Sequence, residues 1–329
     1  NIASKHWVFR QYDHEVGIRT VIKPGFDASV LRLDNGKYLS VKIDGNPKHC
    51  YLNPRDGAIG CFEEACRNVV CTGATPIGMV DHLQFGNPED PEIFWTFMES
   101  LEGLTDFAKF LKIPCVGGKV SFYNETPSGP IKPTPLIGVL GIINKTPLHP
   151  VPPKSGDYLV IVGSTENELG GSEYFEYIDD FIGGVCPTVD FKSSKSNMST
   201  VLSLIKQDLV KSVHDCAKGG ISIAVSEMSI FGGIGCNIDI GKSPSEQNLN
   251  SEQLLFSESH SRYLLVVTQN NIKKVKQFLS KKKNHFGVLG SFTSDQISIK
   301  HKSKNIVKVN VDTAQRKYFN ALKEILDNG

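Results

Sequence analysis

Three short segments set acids, amides and a hydroxyl beside glycines. They are Val80-Asp81-His82-Leu83-Gln84-Phe85-Gly86-Asn87-Pro88, Val116-Gly117-Gly118-Lys119-Val120-Ser121-Phe122-Tyr123-Asn124-Glu125, and His214-Asp215-Cys216-Ala217-Lys218-Gly219-Gly220. Glycine lets a backbone come close to phosphate, and carboxylates and amides on adjoining loops are oxygen ligands for Mg2+. Taken singly, each segment has a plainer reading. A Gly-Gly pair is more often just a turn, and Asp215 ahead of Gly219-Gly220 reads equally well as a helix N-cap. The familiar catalytic signatures are missing: there is no Gly-x-x-x-x-Gly-Lys-Ser/Thr, no His-Glu-x-x-His and no Gly-x-Ser-x-Gly.

The elements that must position these residues can be read from periodicity. Ser29–Leu33 and Tyr38–Ile43 flank Asp34-Asn35-Gly36, which predicts a hairpin. A helix is expected over about 57–72, with Ala58, Phe62, Ala65, Cys66 and Val69 forming its apolar stripe. Glu64 and Asn68 then lie one turn apart on the opposite face. Ile77–Val80 and Pro114–Val116 read as short buried strands. Between them a helix near 92–112 turns Phe94, Phe97, Met98, Leu101, Leu104, Ala108 and Leu111 inward.

Four prolines within residues 144–157 interrupt helix and sheet alike and mark a boundary, giving domains 1–146 and 147–329. The second domain alternates strand and helix: Tyr158–Val162, helices near 199–211 and 219–230, Arg262–Val267, then helices near 271–280 and 313–327. The expected class is α+β, with two layers per domain.

Composition narrows the function classes. Of 329 residues 40% are hydrophobic, and 36 basic residues balance 35 acidic ones, so no overall charge argues for nucleic acid or a membrane surface. Ten lysines against Asp295 alone in 270–310 read as a solvated face, the commoner meaning of such a charge run. No stretch approaches the roughly 20 apolar residues of a membrane span, and no signal peptide is read at the start. The eight cysteines hold no Cys-x-x-Cys pair and read as reduced, mostly buried cytosolic thiols, which places the chain in the cytoplasm. The chain begins Asn1-Ile2-Ala3 without methionine, so a piece of something longer is expected.

In order and wording the segments resemble the second half of phosphoribosylformylglycinamidine synthase (FGAM synthase) of the small PurL type. The resemblance covers nearly the whole chain. It runs through Gln11-Tyr12-Asp13-His14-Glu15-Val16-Gly17, Arg67-Asn68-Val69-Val70, Gly73-Ala74-Thr75-Pro76, Asp81 to Pro91, Gly117 to Glu125, Leu169 to Tyr174, His214-Asp215 and Leu255-Phe256-Ser257-Glu258-Ser259. It implies a two-domain AIR synthetase-like unit, repeated twice in the family. The N-terminal domain packs on its pseudo-symmetric mate, and a C-terminal α/β domain follows. It implies a ligase of purine biosynthesis that uses ATP, Mg2+ and glutamine-derived ammonia on formylglycinamide ribonucleotide, through an iminophosphate. Its implied partners are the first half, a glutaminase subunit and a small PurS-type subunit.

By position, the resemblance assigns Asp81 and Gly118 to ATP and Ser121 to the substrate. Strand-end loops that open the same way lead to the expectation that Asp81 and Ser121 lie within one cleft, on the sheet face that meets the other copy. The metal position after Gly118, normally asparagine, is Lys119, which cannot coordinate a metal while charged. A second, pseudo-symmetric nucleotide and Mg2+ site maps to Asp27, Glu64, Asn68 and Asp215, with Ala217 and Lys218 replacing a usual serine and acid. His14 stands in the slot of a catalytic histidine without its surroundings, and is expected to be structural. No catalytic acid or base is expected in this half, so the chain alone is expected to be inactive, or nearly so, and to self-associate. An alternative within the same family is a non-catalytic scaffold that holds an auxiliary nucleotide. Selenophosphate synthetase and the hydrogenase-maturation dehydratase are poorer readings, since they need a reactive cysteine near one terminus and the first here is Cys50.

Overall fold

The hairpin expected around Asp34-Asn35-Gly36 forms in the computed structural model, which describes residues 2–293 and 295–327. After a short helix α1 (His6–Phe9), strands β1 (Thr20–Ile22), β2 (Ser29–Arg32) and β3 (Tyr38–Asp44) run antiparallel. Then come α2 (Pro47–Leu52), α3 (Pro54–Cys71), β4 (Thr75–Gln84), α4 (Pro91–Leu111), β5 (Cys115–Ser121), a small ribbon β6 (Glu125–Thr126) and β7 (Gly129–Pro130), and β8 (Thr134–Ile143). The first sheet has the order β1-β2-β3-β8-β4-β5. Only β4 and β5 are parallel, and α4 supplies the crossover such a pair requires.

Sequence explains the helix ends. Asn53 caps α3 by accepting from the backbone N–H of Asp56, and Pro54 takes the first position, where a missing N–H costs nothing. Asp90 and Pro91 start α4 in the same way. Asp190 caps the helix Phe191–Lys206 by accepting from the backbone N–H of Ser193, so that helix begins eight residues before the expected position.

Across the proline-bearing stretch, the second domain contains β9 (Tyr158–Val162), α5 (Glu173–Asp179), α6 (Phe191–Lys206), β10 (Ser212–Asp215) and α7 (Gly220–Gly232). It continues with β11 (Cys236–Asp239), α8 (Ser251–Phe256), β12 (Tyr263–Val267), α9 (Ile272–Lys282), β13 (Phe286–Phe292), β14 (Gln296–His301), β15 (Lys304–Asn310) and α10 (Val311–Asp327). Its sheet has the order β10-β12-β9-β13-β11-β14-β15. The alternation of strand and helix does not make this a parallel sheet. Only β11 and β14 run parallel, because most neighbours are joined by antiparallel returns.

Both faces of the second sheet are covered. Leu159, Ile161 and Leu264 face a core made with α7 and α8. Val160, Val162 and Leu265 face the other way and join the core that holds Phe62, Val69 and Ile137 of the first domain. Helix α3 therefore lies between the sheets and is buried almost all round, so the face bearing Glu64 and Asn68 is not a solvent face. Fully burying a side chain such as Phe62 stabilises by about 2–3 kcal/mol.

Two expectations of burial fail together. Strand β5 is exposed along nearly its whole length instead of buried, because it ends the sheet and no element covers it. Phe94 and Met98 of α4 point outward for the same reason, while Leu104 and Phe107 at the other end of the helix pack inward. The lysines of α9 behave as expected: Lys273, Lys274 and Lys276 are exposed, while Val275 and Leu279 are buried. No described helix is long and apolar enough to cross a membrane. Seven of the eight cysteines are buried, Cys115 is exposed, and all are free.

Candidate functional site

Two polar regions come from the predicted residues, and they lie on different elements. The first is the β4–β5 edge. Asp81 pairs in register with Gly118, His82 with Lys119 and Gln84 with Ser121. A Cβ on Gly118 would collide with the Asp81 carboxylate, so the missing side chain leaves that carboxylate its space. The thiol of Cys115 donates to Asp81 Oδ2 at 3.3 Å. Alternation along a strand puts Asp81 on the face of Leu83, which is in the core, and Lys119 and Ser121 on the opposite face. The structure thus joins Asp81 to Gly118 and Lys119 to Ser121, but does not aim Asp81 and Ser121 into one cleft. Asn124 fixes Ser121, with its side-chain amide donating to the Ser121 carbonyl at 2.8 Å.

The second region is a cavity of about 910 Å³ between the domains. It gathers all four residues of the expected second site, Asp27, Glu64, Asn68 and Asp215. Asp215 does not cap α7; Gly219, at φ +72°, starts that helix without a side-chain cap. Glu258 instead accepts from the Gly219 N–H at 2.9 Å and from the Glu173 N–H at 2.8 Å. Asp215 Oδ2 accepts from Asn68 Nδ2 at 3.0 Å and from Arg67 Nη2 at 3.2 Å. Arg67 also binds Glu63, one turn away on α3. Asp27 Oδ1 lies 2.8 Å from His214 Nδ1 and accepts from the Asp215 N–H at 3.0 Å. The other ring nitrogen of His214 is 3.1 Å from Glu227 Oε2.

Electrostatics follow from burial and these pairings. Burial alone would discharge His214, but Asp27 and Glu227 hold it protonated, with its pKa well above the ordinary imidazole value. Burial, then Asp44 and Asp215, push the Glu64 carboxyl well up. Burial and Asp27 likewise raise Asp215, against the pull of Arg67. Lys42 and Lys218 keep their charge despite burial: Asp44 faces Lys42 first, and Glu64 faces Lys218 first. Lys42, Asp44 and Glu227 escaped the sequence reading. A lysine and an aspartate two apart in the apolar strand β3 share one face, and that was the available signal. His14 lines the outer cavity, with its Nδ1 3.2 Å from the Tyr12 carbonyl, and faces no catalytic partner.

The two regions differ in their fit to Mg2+. At the sheet edge, the position beside Gly118 carries the ammonium of Lys119, which is no ligand while charged. In the cavity, Asp27, His214 and Asp215 come close enough to share an ion; Asp27 Oδ1, Asp215 Oδ2 and both ring nitrogens of His214 are engaged in protein hydrogen bonds, so the second oxygens of the two aspartates are the ones a cation would use.

Two sheets sharing one core, with a bare edge strand on the first and a polar cavity between them, define a two-domain α+β unit of the AIR synthetase-like type. The model of the AIR synthase related protein, N-terminal domain, matches residues 25–143, and that of its C-terminal domain matches residues 154–302. The chain belongs to the AIR synthase related family.

Among its relatives, the phosphoribosylformylglycinamidine synthase subunit PurL of Thermococcus sibiricus is 42% identical over 99% of this chain and 45% of its own. The subunit of the same name from Methanocaldococcus jannaschii is 40% identical, again over 99% of this chain and 45% of its own. The chain thus spans somewhat under half the length of these curated relatives. In fold it is similar to Thermotoga maritima PurL complexed with FGAR, at a TM-score of 0.76 and 19% identity over 90% of this chain and 49% of that one.

Proposed function

We propose that this chain is the C-terminal half of a phosphoribosylformylglycinamidine synthase of the small PurL type, with a domain boundary between residues 146 and 147. The carrying observation is the identity of 42% over 99% of this chain against less than half of a subunit bearing that name. The reaction is amide-to-amidine ligation in purine biosynthesis. The amide oxygen of formylglycinamide ribonucleotide takes the γ-phosphoryl group of ATP, releasing ADP, and glutamine-derived ammonia then displaces phosphate. Such phosphoryl transfer depends chiefly on positioning and charge neutralisation.

In this reading Asp81 and Gly118 contact ATP, Ser121 contacts the substrate from the other face of the edge, and Lys119 offers its ammonium to phosphate. Mg2+ and the general acid/base belong to the first half. The bare edge supports a composite site, since Val116 is 62% and Val120 42% exposed. An apolar surface of this kind is one that a pseudo-symmetric mate or a second copy would cover. A glutaminase subunit and a small PurS-type subunit complete the assembly, which works in the cytoplasm.

Within the same family the chain also suits a scaffold role, and the convergence of Asp27, Glu64, Asn68 and Asp215 on the cavity is what favours that second reading. One assay separates the two. The purified chain is given ATP, Mg2+, ammonia and formylglycinamide ribonucleotide, with and without the first half in trans. Turnover only on mixing, lost in Asp81→Asn, supports the shared catalytic site. Turnover by the chain alone sinks the half-enzyme reading, and turnover on mixing that ignores Asp81→Asn and Ser121→Ala favours the scaffold.

A further inference from the structure

We infer that Tyr123, just past the end of β5, is a further substrate-contacting residue, whose ring forms one wall of the subsite beside Ser121. This role rests on the reading that Ser121 meets a ribonucleotide substrate, and it adds the group that covers the sugar.

Tyrosine rarely adopts the backbone conformation found here. Tyr123 has φ +59°, in the left-handed region that glycine occupies without strain. Lys112, Asp180 and Lys283 share that conformation because each ends a helix. Lys302 and Ser303 share it because they turn the hairpin between β14 and β15. Tyr123 ends no helix, and β5 and β6 on either side of it are not paired strands.

Its neighbours impose the conformation. Phe122 packs inward, with its ring centroid 5.1 Å from that of Phe97 and 6.5 Å from that of Phe85. The Tyr123 N–H donates to the Gly86 carbonyl at 2.9 Å. The side-chain amide of Asn124 donates to the carbonyls of Phe85 and Ser121, at 2.9 and 2.8 Å. The chain is thus pinned on both sides of Tyr123, while Tyr123 itself is 62% exposed. No packing within the chain offsets the strain, and strain kept at an exposed aromatic points to contact with something outside the fold. One amide, that of Asn124, sets both Ser121 and the outward turn of Tyr123. Lys119 and Ser121 offer an ammonium and a hydroxyl on one strand face, and a tyrosine ring adds the broad amphipathic surface that suits a ribose.

The test uses the chain reconstituted with the first half and assayed for ATP-dependent turnover of formylglycinamide ribonucleotide. Tyr123→Gly relieves the backbone and removes the ring. Its urea midpoint should not fall, while KM for the ribonucleotide should rise at least about fivefold with kcat within about twofold. Tyr123→Phe should bring KM back to within about twofold of the wild type, since the ring makes the contact. Ser121→Ala should raise KM as well, and it checks the reading beneath. A rise in Ser121→Ala without one in Tyr123→Gly overturns the inference and leaves that reading standing. Unchanged KM in both removes the two together. A rise in Tyr123→Gly that disappears with excess first half makes Tyr123 an interface residue instead, and a Tyr123→Phe protein as impaired as Tyr123→Gly shifts the contact from ring to hydroxyl; either result also overturns the inference.

Discussion

Arg67 of α3 and Asp215 at the end of β10 are 148 residues apart and meet at 3.2 Å, joining the layer under the first sheet to the edge of the second. Arg67 is fully buried, and its second carboxylate is Glu63. Truncating one member of a buried ionic network leaves an uncompensated charge, which typically costs about 3–5 kcal/mol. Arg67→Met should therefore lower the unfolding free energy, read from urea denaturation, by an amount in that range. A loss below about 1 kcal/mol would mean that the network is hydrated.

Glu63 sets the acid limit of stability. Burial would raise its carboxyl, but Arg67, His260 and Ser194 outweigh burial and bring it down to about 2. A depressed acid contributes stability that is complete above its unfolded value near 4.5 and disappears as pH falls through its folded value. The ordinary protein should lose on the order of 3 kcal/mol from this group as pH drops from about 5 to about 2. Glu63→Gln should be less stable at neutral pH and should show a flatter acid limb. Urea midpoints of both proteins across that interval are the measurement.

Gly118 tests the edge. Its backbone is ordinary for a strand, but a Cβ there would displace the Asp81 carboxylate. Gly118→Ala should leave thermal stability within about 1 kcal/mol, as for most exposed substitutions. It should weaken ATP binding by the reconstituted two-half protein at least tenfold. Calorimetric titration of ATP into wild type and variant decides it, and equal affinities would detach Asp81 from the nucleotide.

Local features were legible and long-range ones were not. The hairpin turn Asp34-Asn35-Gly36 and the stripe from Ala58 to Val69 each write their structure within a few residues, whereas the Asp190 cap that starts α6 went unread. The stripe on α3 misled about the opposite face, because a helix between two sheets has no open solvent side: Asn68 is buried there, and Glu64 is part-buried on the interdomain cavity. Strand β5 misled in reverse: Pro114–Val116 reads as interior, and only the sheet order reveals an edge. The four residues assigned to the second site do converge. The hydrogen bonds that Arg67 and His214 make to two of them depend on pairings such as Asp27 with His214, 187 residues apart, which no local pattern encodes.

Strand β5 also bears on solubility. It presents an uncovered row of backbone donors and acceptors between Val116 and Val120, and such an edge can template the addition of strands from neighbouring chains. Gly117 and Gly118 weaken its intrinsic strand preference, and Lys119 puts a charge at its centre. Lys119 thereby acts as a gatekeeper against amyloid-like stacking of free chains, whatever it does for phosphate.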